Sequence, residues 1–162
     1  MSRWMALDTS SLAYRAFFAL PSSIVAADGK PVHALHGYLD MTARLVREHR
    51  PDRILHALDD DWRPAPRVAA YAGYKAERPD VPPELAFQLD ALREILVLAG
   101  MAVISAPGWE AEDAIGTLAA GASDADRVDI VTGDRDLIQL VRDPVVRLLF
   151  TRRGVSDLEV LD

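Results

Sequence analysis

Apolar positions along the chain fall into two alternating patterns. Short β-prone runs occupy residues 4–7, 53–58, 102–105, 128–131 and 145–150. Longer stretches between them show helical spacing. Leu35, Leu39, Thr42 and Val46 make one stripe, and Ala111, Ile115, Leu118 and Ala122 make another. The most regular stripe is Leu85, Leu89, Leu92, Leu96 and Ala99, at intervals of four, three, four and three. A helix returns to one face every three or four residues, whereas a strand covered on both faces is apolar throughout. Strand–helix alternation predicts an α/β domain with a central, mostly parallel sheet flanked by helices. A chain of 162 residues, half of them apolar, can bury one such core.

One segment breaks the alternation. Residues 59–83 carry Trp62, Tyr71, Tyr74, the four cations Arg63, Arg67, Lys75 and Arg78, and five prolines. Only a short helix near residues 68–71 is expected there. A long connection inside a compact domain usually serves function or is disordered.

The acids change the picture further. Ligands of open parallel sheets bind beyond the carboxyl ends of the strands. Asp8 ends the first run, Asp59 and Asp60 end the second, and Asp134 and Asp136 follow the fourth. Glu110, Glu112 and Asp113 open the helix after the third. Singly, each has a plainer role: Asp134 as a helix cap, the 110–113 acids as partners of a helix dipole, Asp59 to Asp61 as a solvated turn. Together they place carboxylates from four chain segments at one sheet edge. Such a gathering calls for protonation or bound cations. All-oxygen ligation suits Mg²⁺ or Mn²⁺, and a pair of such ions about 4 Å apart serves phosphodiester hydrolysis. If the helix begins at Glu110, Asp113 points roughly 200° from Ala111. Glu110 and Glu112 are then better placed, and Asp113 acts through water unless the helix meets the site end-on.

The formal charge of −7, from 25 acids and 18 bases, argues against a simple polycation that binds phosphates. Seven acids in one cation site would leave the remainder balanced. The chain lacks cysteine, which excludes thiolate metal sites and disulfides. No secretory signal opens it, and its longest apolar stretch, residues 95–106, is too short to span a bilayer. A cytoplasmic protein without membrane contact is expected. The four histidines show no metal-ligand spacing and are read as surface or buried polar groups.

Several motifs then carry a resemblance. They are Asp8-Thr9-Ser10-Ser11-Leu12-Ala13-Tyr14-Arg15 with the residues on to Leu20, the stretch from Val32 to Leu39, and Tyr74-Lys75-Ala76-Glu77-Arg78-Pro79. Gly108-Trp109-Glu110-Ala111-Glu112-Asp113 and Val131-Thr132-Gly133-Asp134-Arg135-Asp136-Leu137 follow in order. Over nearly the whole chain this resembles the bacterial 5′–3′ exonuclease and flap endonuclease family, including the 5′-nuclease domain at the N-terminus of DNA polymerase I.

The resemblance implies a PIN-like domain over residues 1–162, with residues 61–83 as an arch over the 5′ end. It implies a structure-specific 5′–3′ exonuclease or flap endonuclease for replication and repair, using two Mg²⁺ or Mn²⁺ ions. Asp8, Glu110, Glu112, Asp134 and Asp136 would be metal positions, with Asp113 supporting. Counting from the strand favours Asp59 as the second-strand ligand, while counting back from Pro64 and Arg67 favours Asp60. Arg15, Lys75 and Arg78 would serve catalysis at the phosphates. Arg63, Arg67 and Tyr74 would join them in binding nucleic acid, with Tyr74 and Trp62 stacking an unpaired base. The implied partners are DNA with a 5′ flap or 5′ end, an RNA primer–DNA hybrid, and a DNA polymerase.

Two departures accompany the likeness. Glu112 stands where the family usually has aspartate. The family's C-terminal helix–hairpin–helix-like DNA-binding module is expected to be absent, leaving a fragment or a shortened relative. Rival readings are a truncated, catalytically weak DNA-binding relative and a PIN-type ribonuclease; a small-molecule phosphatase is a more distant one, since Asp8-Thr9 lacks a second aspartate.

Overall fold

The computed structural model describes residues 2–152 and 154–162. Its elements run β1 (Ser2–Asp8), α1 (Thr9–Ala19), α2 (His33–His49), β2 (Arg53–Ala57), α3 (Ala65–Ala70), α4 (Pro83–Leu98), β3 (Ala102–Ile104), α5 (Ala111–Gly121) and β4 (Asp126–Thr132). A 3₁₀ helix (Arg135–Leu140), β5 (Val146–Thr151) and β6 (Leu158–Leu161) complete the chain. All five expected strands are present. The sheet order is β3-β2-β1-β4-β5-β6, parallel except for the β5–β6 pair. β6 escaped the hydrophobic pattern because it is a four-residue strand at the sheet edge with no residue fully buried.

Side chains alternate across the pleat and split the core in two. Met5, Leu7, Val131 and Leu149 face α1, α2 and α4, packing on Leu12, Tyr38, Leu45, Leu92 and Leu96. Ala6, Ile130 and Leu148 face the other way, onto Ala111, Ile115, Ala119 and Leu137. Asp8 has the parity of Ala6 and Thr132 that of Ile130, so both finish rows directed toward α5. β1 and β4, the central pair, begin the two halves of the strand order. Their carboxyl ends border the crevice where strand order reverses, the usual ligand site of such sheets.

Several local expectations need correction. On α2 the buried face is Ala34, Tyr38, Thr42 and Leu45, while Leu35 and Leu39 are partly buried and Val46 is exposed. The face is set by packing on α1: a Cβ on Gly37 would come within 2.6 Å of Leu20 Cδ1 and 2.8 Å of Ala16 Cβ, so the helices touch there. On α4, Leu85, Leu92 and Leu96 are buried as expected and Gln88 joins them, but Ala99 is an exposed cap. The short arch helix sits at Ala65–Ala70, earlier than expected, because Pro66 suits a first helical turn. Helix α5 begins at Ala111, leaving Glu110 as its extended N-cap. Among the described residues, no helix is long and apolar enough to cross a membrane.

Candidate metal centre

At the crevice, backbone N–H groups and hydroxyls hold the carboxylates in place. Asp8, 6% exposed, caps α1 by accepting the Ser11 N–H at 3.2 Å. Its other oxygen accepts the Thr132 hydroxyl at 2.6 Å, joining the ends of β1 and β4. Thr132 Oγ1 in turn accepts the Asp134 N–H at 2.9 Å, and Asp134 accepts the Asp136 N–H at 2.9 Å. From β2, Asp59 donates its N–H to Ser10 Oγ and accepts the Ala111 N–H at 2.8 Å, tying β2 to both α1 and α5. The ends of β1, β2 and β4 and the start of α5 are thereby linked.

Glu112, Asp134 and Asp136 each offer a carboxylate oxygen, all within 4.8 Å of one another. Glu110, 3% exposed, lies beside them, with Asp59 and Asp134 close enough to Asp8 to raise its proton affinity. Burial, reinforced by Asp59 and Asp134, pushes Asp8 up to about 7, against the Thr132 and Ser11 hydrogen bonds. Burial also raises Asp59, with Glu110 adding to it. Glu112 rises through burial, even with Arg67 pulling the other way.

The counter-charges come from the arch. Arg67 contacts Glu110 at 3.1 Å, Asp113 at 2.7 Å and also Glu112, and it donates to the Tyr74 hydroxyl at 2.8 Å. Lys75 pairs with Glu110, and Tyr74 donates its hydroxyl to Glu110 at 2.6 Å. Burial disfavours the Lys75 ammonium, but the Glu110 carboxylate outweighs it and the net shift is upward. Lys75 reaches this position from a left-handed backbone, φ 50°. Arg63 grips the arch itself, donating to the Tyr74 and Ala72 carbonyls at 2.9 and 3.2 Å.

The structure therefore gathers Asp8, Asp59, Glu110, Glu112, Asp134 and Asp136, with Arg67, Tyr74 and Lys75 reaching in. Asp60 turns away to the Gly108 N–H at 2.8 Å. Asp113 accepts the Glu110 N–H at 3.1 Å and pairs with Arg67. Arg15 crosses to the Gly133 carbonyl at 3.0 Å, and Arg78 is exposed. Two supporting features went unassigned in the sequence. One is Thr132, a buried polar residue that follows Val128 and Ile130 on the inward row of β4. The other is a buried relay in which the Tyr38 hydroxyl bonds Thr9 Oγ1 at 2.8 Å and His56 Nδ1 at 2.6 Å, bracing the residue after Asp8. Burial lowers His56 to about 4, so it sits there neutral.

The arch contacts yield a prediction. Arg67→Gln removes three carboxylate contacts of a half-buried cation, and charged hydrogen bonds contribute about 1.5–3 kcal/mol. In metal-free protein, tryptic cleavage after Lys75 is expected to accelerate about tenfold or more. Unchanged cleavage would show that Arg67 does not hold the arch down.

Carboxylates thus collect in the switch-point crevice of an α/β domain, with the cations of residues 61–83 against them. A family model described as the 5′–3′ exonuclease N-terminal, resolvase-like domain matches residues 3–161. The chain belongs to that family. It is 45% identical over 170 residues to a 5′–3′ exonuclease of Streptomyces coelicolor, covering 98% of this chain and 56% of the relative. It is 45% identical over 164 residues to one of Mycobacterium tuberculosis (93% and 51%). Against DNA polymerase I of Mycobacterium bovis the identity is 44% over 156 residues, 95% of this chain and 17% of that protein. The chain thus spans about half the length of the curated exonucleases from Streptomyces coelicolor and Mycobacterium tuberculosis. Among solved structures, a bacteriophage T5 flap endonuclease complex with DNA and metal ions shares the fold with a TM-score of 0.63 at 17% identity, covering 91% and 54% of the two chains. T5 5′-exonuclease with zinc ions bound gives 0.56 at 16% identity (91% and 55%).

Proposed function

We propose that this chain is the catalytic domain of a structure-specific 5′ nuclease that hydrolyses DNA phosphodiesters with a divalent metal, most simply Mg²⁺. The carrying observation is the meeting of Glu112, Asp134 and Asp136 oxygens within 4.8 Å, beside the buried Asp8 and Glu110 and the partly buried Asp59. Six carboxylates with, among the described residues, no sulfur or imidazole donor make a hard-cation site. Glu112, Asp134 and Asp136 would hold one ion, with Asp8, Asp59 and Glu110 sharing it or holding a second. When bound, such a cation supplies Lewis-acid stabilisation of a phosphodiester and activation of water.

The chain's own side chains do the rest. Lys75 and Arg67 already meet the carboxylates, so a phosphate arriving there exchanges one anionic partner for another. Lys75 can place its ammonium on a nonbridging oxygen, and Arg78 can follow it from the same turn of the arch. Tyr74, beside them, offers a face for an unpaired base. Residues 61–83 act as the arch over the 5′ end. Arg15 holds the Gly133 turn and presents the rest of its guanidinium to the incoming strand. A 5′ flap, a free 5′ end and an RNA primer–DNA hybrid are the substrates proposed, with a DNA polymerase as partner in replication and repair.

A labelled 5′-flap duplex is the test. Cleavage with Mg²⁺ or Mn²⁺, lost on adding EDTA and regained with excess metal, is the expected result. Metal-independent cleavage, or none with either ion, would refute it.

A further inference from the structure

Arg15 and Arg78 also line a groove of about 1080 Å³ that starts beside Asp134 and runs toward the β5–β6 edge of the sheet. Two further cations line it: Arg135, at the start of the 3₁₀ helix, and Arg152, just past β5. Neither Arg78 nor Arg135 uses its side chain in a hydrogen bond or ion pair with another described residue. Arg15 is pinned by the Gly133 carbonyl, and a Cβ on Gly133 would overlap its guanidinium, so glycine there leaves the cation its place.

The groove's carboxylates are Asp134 at the site end and Glu159 at the far end. Glu159 accepts from Arg152 Nε at 2.7 Å, in a pair exposed by 59% and 39%. So open an ion pair contributes little to stability and yields readily to another anion. Among the described residues, four guanidinium groups against two carboxylates is a local cation excess in a chain whose formal charge is −7. The floor is different: Ile138, 41% exposed, with Phe150 and Leu161. Cations on the rim and an apolar floor fit a ligand with a charged backbone and flat, apolar faces better than a bare anion.

We propose that this groove carries a single nucleic-acid strand to or from the carboxylate site, with phosphates on Arg135 and Arg152 and sugars and bases on Ile138 and Phe150. It rests on the nuclease reading for the identity of the polyanion, and on nothing else in it. A cation-rich channel ending at the carboxylates would also explain how so acidic a chain draws in a polyanion.

Salt dependence of binding measures the phosphates engaged. Fluorescence anisotropy of a labelled single-stranded oligonucleotide in EDTA, read over a range of KCl, gives the slope of log K against log salt. Arg135→Ala with Arg152→Ala should flatten that slope by about 1.4, at about 0.7 per phosphate contact on a single strand. Lysine at both positions keeps the charge and should restore it, separating contact from misfolding. Glu159→Gln should act with opposite sign, tightening binding a few-fold. A slope unmoved by the alanine pair, or weakened binding in Glu159→Gln, overturns the groove. If the wild-type chain cuts flap DNA while the slope stays unmoved, the groove alone is refuted and the nuclease reading stands. If the slope responds as stated but no metal supports cutting, the groove stands and the nuclease reading falls.

Discussion

Asp134→Asn is expected to lower Mg²⁺-dependent cleavage of a 5′-flap duplex at least about a thousandfold, since a metal's stabilisation of transition-state charge amounts to several kcal/mol. Asp134 is well chosen because the substitution removes charge with little effect on shape. Its backbone N–H still meets Thr132 Oγ1 at 2.9 Å, and an asparagine oxygen still accepts the Asp136 N–H that starts the 3₁₀ helix. What changes is one of three carboxylates lying within 4.8 Å of one another. Single-turnover rates at saturating enzyme check this. A loss of less than tenfold would mean that Asp134 is a helix cap and no more.

The second large effect is on stability and runs in the opposite direction. Asp8 is buried, and in the metal-free protein its pKa is pushed from 3.8 to about 7. A carboxyl whose folded pKa is raised binds its proton more tightly when folded. The associated stabilisation is fully present below about pH 4 and is lost as pH rises through about 7. At pH 8 the folded chain carries a buried carboxylate with Asp59 and Asp134 for neighbours, a cost of about 4 kcal/mol at 1.36 kcal/mol per unit. Asp8→Asn removes that cost. Asparagine has a single acceptor oxygen, so either the Ser11 N–H or the Thr132 hydroxyl loses its partner, costing about 1 kcal/mol. The variant should therefore unfold in urea at pH 8 with a stability roughly 2–3 kcal/mol above that of metal-free wild type. The advantage should vanish below about pH 4. Asp59 and Glu112, both raised, add to the wild-type slope in the same sense. A variant no more stable than wild type at pH 8 would mean that Asp8 is not held in a strained, anionic site. Sites that sacrifice stability for chemistry behave in this manner.

Much of the fold was legible because strands buried on both faces are apolar runs, and those of β1, β4 and β5 are hard to mistake. The acids at strand ends were legible for a related reason: parity and topology force Asp8, Asp59 and the Asp134 turn to one edge. What periodicity could not show was which neighbour a helix touches. Val46 fits the α2 stripe as well as Leu45 does, and only the α1 contact at Gly37 decides between them. Nor could spacing choose between Asp59 and Asp60; Asp59 meets the α5 N-terminus while Asp60 turns to Gly108. Arg67 was legible as a cation of the basic segment, read as a nucleic-acid contact. Its pairing with Glu110, Glu112 and Asp113 depends on an irregular loop folding back some 45 residues away in sequence.

The most direct test of a divalent-ion site at the β1–β4 crevice is diffraction from crystals soaked in Mn²⁺, with data collected to reveal manganese by its anomalous signal. Manganese bound among Glu112, Asp134 and Asp136, with Arg67 and Lys75 drawn back from the carboxylates, is the expected result. Crystals in which those acids keep their arch partners and manganese binds elsewhere, or nowhere, would contradict it.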